Sequence, residues 1–290
     1  MSDPRPVRTA AELRGALASA RQEARTIGLV PTMGFLHPGH LSLLAAARAQ
    51  ADVVVMSLFV NPAQFGDAED LAAYPRDEGR DLALAAEAGV DLVFAPTSDE
   101  IYPAGFATHV EVEGLTDVLC GDPERRGAAH FRGVTTVVAK LLNLADPDLV
   151  FFGQKDAQQA IVIRRMVRDL GFQAEVVVLP TVREADGLAM SSRNSYLEPP
   201  ERERAVALSQ ALEAAESKVA AGLPAAIEAA RTVLAGAGIE PEYLEARYAD
   251  DLLPAQSFNG RPVLVAVAAR VGRARLIDNV VVGAAGDNHH

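Results

Sequence analysis

The sequence predicts an α/β fold: a doubly wound parallel sheet followed by a smaller α+β domain. Three observations point there. Short β-branched apolar runs alternate with helix-like segments from about residue 26 to residue 180, which is the pattern of a parallel sheet with crossover helices. Past about residue 181 the pattern changes to Ala-rich helices and then strands of alternating polarity. With 290 residues, the chain exceeds one typical domain and is long enough to bury a large core without covalent staples.

The elements follow in order. Thr9-Ala10-Ala11-Glu12 is a capping box that opens a first helix. TIGLV (26–30) is a short apolar strand, and LSLLAAARAQ after His40 is helical. DVVVMSLFV (52–60) is a buried strand by its β-branched content. DEGRDLALAAEAG (77–89) is a helix ended by glycine, with the strand DLVFA (91–95) behind it. A helix over 133–145, a strand over 148–153, a helix over 156–171 and a strand over 174–180 complete the first half. Two helices (about 200–221 and 223–235) and three strands, EYLEARYA, PVLVAVAARV and ARLIDNVVVG, form the rest, the strands in a small antiparallel sheet. The boundary falls near 181–187, giving domains over 1–181 and 182–290.

Composition narrows the function classes. Hydrophobic residues are 49% and charged residues 23% of the chain, an ordinary globular balance. The net charge of −12, with no Lys/Arg run, disfavours nucleic acid and anionic membrane, so an anionic substrate needs a local positive pocket. A single cysteine, Cys120, excludes an intramolecular disulfide framework and Cys-based zinc sites, and fits a reducing cytoplasm. The N-terminus lacks the apolar core of a signal peptide, and no stretch approaches the ~20 apolar residues of a membrane span. The terminal His289 and His290 are either native residues or a tag remnant and carry no functional expectation.

Three loops carry candidate chemistry. In PTMGFLHPGH (31–40), His37 and His40 sit where the first strand hands over to a helix N-terminus. Two imidazoles there can ligate a metal, exchange protons or grip a phosphate. Phosphate suits the unpaired N–H groups and the positive dipole end, and HxGH lacks the spacing and the glutamate of HExxH zinc sites. FFGQKDAQQ (151–159) places Gly153, Lys155 and Asp156 at another strand-to-helix turn, where the ligand crevice of an open sheet lies. Lys155 offers a point charge, and Asp156 is either a helix cap or a ligand group. GLAMSSRNSYL (187–197) adds Ser191, Ser192 and Arg193, a kit of hydroxyls and guanidinium for polyphosphate, although such residues also favour turns.

Taken with LFVNPAQFG, YPRD, HFRGVTTVVAKLLN and VREADGLAMSSRNSYL in this order, these motifs resemble the pantothenate synthetase (pantoate–β-alanine ligase) family across essentially the whole chain. HxGH alone marks only the wider nucleotidyltransferase superfamily. The resemblance implies a Rossmann-like fold and ATP-dependent condensation of pantoate with β-alanine through a pantoyl adenylate. It implies that Pro31, Thr32, Met33, Gly34, Phe35, Leu36, His37, Pro38, Gly39 and His40 line the nucleotide site. Gly153, Gln154, Lys155 and Asp156 are a second ATP loop by the same resemblance, and Val182, Met190, Ser191, Ser192 and Arg193 a third. His37, His40, Lys155, Ser191, Ser192 and Arg193 are the implied catalytic set. Gln64 is the implied contact for pantoate beside β-alanine, and Gln159 a second pantoate contact.

ATP is expected with Mg²⁺ on its phosphates, which Asp81 approaches at most indirectly, and a homodimer is expected. Two departures stand out: RRGAAHF carries what reads as one extra residue before the helix, and Gln154 replaces a common glutamate. The alternatives are another HxGH nucleotidyltransferase, a catalytically silent ligand-binding protein and, disfavoured by charge, a tRNA synthetase.

Overall fold

The computed structural model describes residues 4–66, 71, 72, 74–258 and 260–283. The His289–His290 pair lies outside them. The chain divides into two compact units: residues 1–117, 121–153 and 162–180 form the first, and residues 118–120, 154–161 and 181–290 the second.

The first unit holds a parallel sheet of strands β1 (Arg5–Val7), β2 (Ile27–Thr32), β3 (Val53–Leu58), β4 (Leu92–Phe94), β5 (Leu149–Gly153) and β6 (Glu175–Leu179), in the order β1-β4-β3-β2-β5-β6. The helices are α1 (Ala10–Gln22), α2 (Pro38–Gln50), α3 (Glu78–Glu87), the short α4 (Ser98–Ile101), α5 (Ala128–Ala145) and α6 (Ala157–Leu170), whose first residues belong to the second unit. The Thr9 capping box is present, with the Thr9 hydroxyl accepting from the Glu12 N–H and the Glu12 carboxylate from the Thr9 N–H. Leu29, Val30, Val54, Val55, Met56 and Val93 are buried in the sheet, as the apolar runs require of strands covered on both faces.

Strand order reverses at β2: the chain runs outward through β3 and β4 on one side and through β5 and β6 on the other. β2 and β5 are direct neighbours, with Gly28 opposite Leu149 and Leu29 opposite Val150. The carboxyl ends of these two strands therefore flank a topological switch point, where open α/β sheets take their ligands.

The second unit holds an antiparallel sheet, β7 (Pro241–Tyr248), β8 (Val263–Val271) and β9 (Ala274–Val282), in that order. Helices α7 (Pro199–Ala205), α8 (Ala207–Ser217) and α9 (Leu223–Gly236) bury alanines and leucines, including Leu208, Ala211, Leu212, Ala226, Ala230 and Leu234, in one core with Val263, Val265 and Val267.

Two sequence expectations are corrected and one strand is added. The helix expected over 200–221 is broken between α7 and α8 and ends in a 3-10 turn. The helix expected from residue 133 starts at Ala128, because Gly127 at φ 75° turns the chain into it. The edge strand β1 was not foreseen: three residues carry too little periodicity, and its pairing with β4 decides it. Cys120 is buried, with Sγ 3.2 Å from Tyr243 Oη and near the Arg275 guanidinium.

Candidate active site

The turn after β2 is built by two successive left-handed residues, Gly34 at φ 82° and Phe35 at φ 50°. A left-handed non-glycine is uncommon and costs energy unless its surroundings hold it there. Here Asp81 of α3 does the holding: one carboxylate oxygen accepts the Phe35 N–H and the other the Leu36 N–H, both at 2.8 Å. The Asp81 side chain is 1% exposed. An added Cβ at Gly34 would stand 2.8 Å from the same carboxylate and 2.6 Å from Leu58, so glycine is required there. Behind the turn, the Thr32 hydroxyl donates to the Ser57 carbonyl at 2.7 Å, and Leu36 is buried in the core. Asp81 is thus the anchor of this turn.

Helix α2 starts immediately after this turn, with His37 as N-cap and Pro38 and Gly39 in its first two positions. The His37 N–H donates to His40 Nδ1 at 3.3 Å, and the two rings lie 3.9 Å apart, centroid to centroid. Because Nδ1 of His40 accepts, Nε2 is the proton-bearing nitrogen of the neutral ring and acts as a donor. A helix N-terminus with an imidazole donor is a grip for an anion. Among the described residues no three His, Cys, Asp or Glu side chains group as a metal cage, so zinc finds no ligand set there.

Gln64 sits in a 3-10 turn, Pro62–Gln64. Its Nε2 donates to Met33 Sδ at 3.0 Å, so the structure joins these two residues, which are far apart in sequence. Asn61, buried and not foreseen, organises the turn. Its Nδ2 donates to Gln64 Oε1 and to the Gly133 carbonyl, both at 3.1 Å, and its Oδ1 accepts from the Tyr102 hydroxyl at 2.8 Å. Burial pushes the Tyr102 phenol up to about 12, against the lowering effect of its bond to Asn61. Gly133 lets α5 meet the turn, since a Cβ there would be 2.1 Å from the Ala63 carbonyl. The signal for Asn61 was in NPAQFG, where Asn before proline marks a turn, but its burial was not visible there.

Gly153 ends β5 in the first unit, whereas Gln154–Asp156 and the loop over 182–193 lie in the second. Gln154–Asp156 forms a 3-10 turn leading into α6. Lys155 is largely buried, and its Nζ lies 3.6 Å from the Asp156 carboxylate. Val182 and Met190 are joined by a backbone bond of 2.9 Å that closes the next loop. Ser191 caps the following turn, its hydroxyl accepting the Arg193 N–H at 3.2 Å, while Ser192 and Arg193 are half-buried on it. Gln159 is half-buried on α6, and the neighbouring Gln158 is the structural one, bonded to the Cys120 N–H and the Val118 carbonyl.

A family model described as pantoate-beta-alanine ligase matches residues 5–281. The chain belongs to that family. Among relatives of the ligase, the pantothenate synthetase of Moorella thermoacetica is 56% identical over 280 residues, covering 95% of this chain and 98% of its own. The crystal structure of pantothenate synthetase from Thermus thermophilus superposes with a TM-score of 0.88 at 49% identity, covering 95% of this chain and 98% of that one. A Francisella tularensis pantoate-beta-alanine ligase, solved with beta-gamma ATP and beta-alanine, gives a TM-score of 0.79 at 31% identity, covering 96% and 97%.

Proposed function

We propose that this chain, an ATP-dependent ligase of pantoate and β-alanine, works through a pantoyl adenylate. A pantoate carboxylate oxygen attacks the α-phosphorus, the bond to the β-phosphate breaks and pyrophosphate leaves. The β-alanine amine then attacks the acyl carbon, the acyl–oxygen bond breaks, and AMP leaves with pantothenate formed. The substrates bring their own nucleophiles, so the protein's task is positioning and stabilising charge on the phosphates.

In this reading the turn over 31–40 takes the nucleotide phosphates. His40 donates from Nε2 and His37 supplies the second imidazole. Lys155 with Gly153, Gln154 and Asp156, and Ser191, Ser192 and Arg193 with Val182 and Met190, supply the remaining nucleotide contacts. Gln64 and Gln159 hold pantoate by amides that both donate and accept, with Gln64 also facing β-alanine. The observation that carries the reading is the His37–His40 pair, whose backbone-to-Nδ1 bond makes Nε2 the donor nitrogen of His40 at a helix N-terminus.

Mg²⁺ fits as part of the substrate. The described residues offer no cage of three ligating side chains, and phosphate oxygens are the hard donors that Mg²⁺ prefers. When bound, it would neutralise phosphate charge, and Asp156, beside Lys155, is the carboxylate that would approach it. No described helix is long and apolar enough to cross a membrane, and we assign the ligase to the cytoplasm on its single cysteine, which permits no disulfide within the chain. It is assigned a homodimeric state, which a light-scattering mass near one chain's 30.6 kDa would overturn.

The deciding experiment omits pantoate and β-alanine in turn from pyrophosphate- and AMP-release assays. Pyrophosphate release requires pantoate but not β-alanine, and AMP release in excess requires both. Pyrophosphate release independent of pantoate, or a nucleotide conjugate as the final product, overturns the reading.

A further inference from the structure

The residue Asn279 of β9, in the stretch ARLIDN, is 5% exposed and spends its whole side chain on the lysine turn. Its Nδ2 donates to the carbonyls of Gln154 and Lys155, both at 2.9 Å, and its Oδ1 accepts from Gln154 Nε2 at 2.9 Å. All three bonds lie within the second unit. Asn279 is itself held from behind. Its N–H donates to Asp278 Oδ1 at 2.8 Å, and Asp278, 3% exposed, takes both terminal nitrogens of Arg183 at 2.6 and 3.1 Å. A buried carboxylate so paired holds its position, because losing either partner strands a charge.

We infer that Asn279 is a positioning residue for Lys155. The amide fixes the backbone of a 3-10 turn, a conformation with few bonds of its own, and thereby fixes where the ammonium points. An asparagine is the side chain that suits: two N–H donors meet two carbonyls, and one carbonyl oxygen meets the Gln154 amide. Asp278 and Arg183 support it by fixing the β9 backbone beside it.

The inference rests on the reading of Lys155 as a phosphate contact, and a double-mutant cycle separates the two. Asn279→Asp keeps the shape and the acceptor but removes both donors and sets negative charge against two carbonyls. It should lower pantoate-dependent pyrophosphate release at least about tenfold in kcat, since small misplacement of a catalytic group is costly. The KM for pantoate should stay within about twofold, because Asn279 reaches the reaction only through Lys155. Asn279→Ala should do the same, and circular dichroism and thermal melting check that both variants are folded.

In a Lys155→Ala background, either substitution at Asn279 should cost less than about twofold more, because the residue acts through the ammonium. Additive losses, or full activity of folded Asn279→Asp, overturn the inference while leaving Lys155 in place. If Lys155→Ala itself is fully active, the phosphate reading of Lys155 fails, and the role of Asn279 fails with it.

Discussion

The two strand-end turns are held in opposite ways. After β2, a buried carboxylate accepts two backbone N–H groups, from Phe35 and Leu36. After β5, a neutral amide donates to two backbone carbonyls, those of Gln154 and Lys155. The first turn is strained, with Gly34 and Phe35 both left-handed, and a charge-assisted acceptor is the stronger clamp for it. The second turn is a short 3-10 segment carrying a cation already paired with Asp156, and a neutral clamp on its backbone adds no further charge beside the lysine. The kind of anchor follows from what each turn must endure and present.

The largest effects should come from the groups the anchors present. His40→Ala and Lys155→Ala should each lower adenylate formation by at least ~10²-fold, read as pantoate-dependent pyrophosphate release. Normal release by either variant would remove that turn from the comparison.

Next comes the first anchor. Asp81→Asn places an NH₂ group against one of two backbone donors, leaving that N–H unsatisfied at a cost of about 1–3 kcal/mol. Denaturant unfolding should show this loss, and a Gly34→Ala variant should show one at least as large, because its Cβ meets Leu58 and Asp81 as well as adopting a left-handed φ. An Asp81→Asn protein as stable as the parent would mean that the charge is not what holds the strain.

A third region sharpens the contrast. Gln64→Ala should raise the pantoate requirement while sparing ATP affinity, because its one side-chain bond to a nucleotide turn is to the Met33 thioether, a weak acceptor. Unchanged pantoate dependence would count against Gln64 as the acid's contact. Gly133→Ala acts on the same region through packing. Its methyl would meet the Ala63 carbonyl, and an overpacked site of this kind costs about 1–3 kcal/mol.

The smallest effect concerns pH. The Tyr102 phenol is raised from its ordinary 10 to about 12, so the folded state keeps its proton where the unfolded state has lost it. Stability from this group is therefore complete below pH 10 and declines as pH rises from 10 to about 12. Ultraviolet titration should show a late tyrosine phase that is smaller by one residue in Tyr102→Phe. A parent protein lacking that late phase would show that the phenol is not shielded.

Most elements were legible because burial imprints a period on the sequence: β-branched runs for doubly covered strands, capping residues at Thr9, and Ala/Leu faces for α8 and α9. The motif loops were legible because each is local, its glycines, histidines and serines lying within ten residues or so of one another. Missed were β1, too short to show a period; the break after Ala205, where helix-forming residues continue through a helix boundary; and Asn61, whose burial no local pattern records.

The residues themselves thus determined which segments become strands and helices, and which turns carry imidazole, ammonium and hydroxyl groups. The fold decided what holds those turns still: Asp81 under Phe35 and Leu36, and Asn279 against Gln154 and Lys155. Such bonds join side chains to backbone far away along the chain, and a hydrogen bond between distant segments leaves no period or spacing behind. Only the pairing of strands and the packing of helices brings their partners within reach.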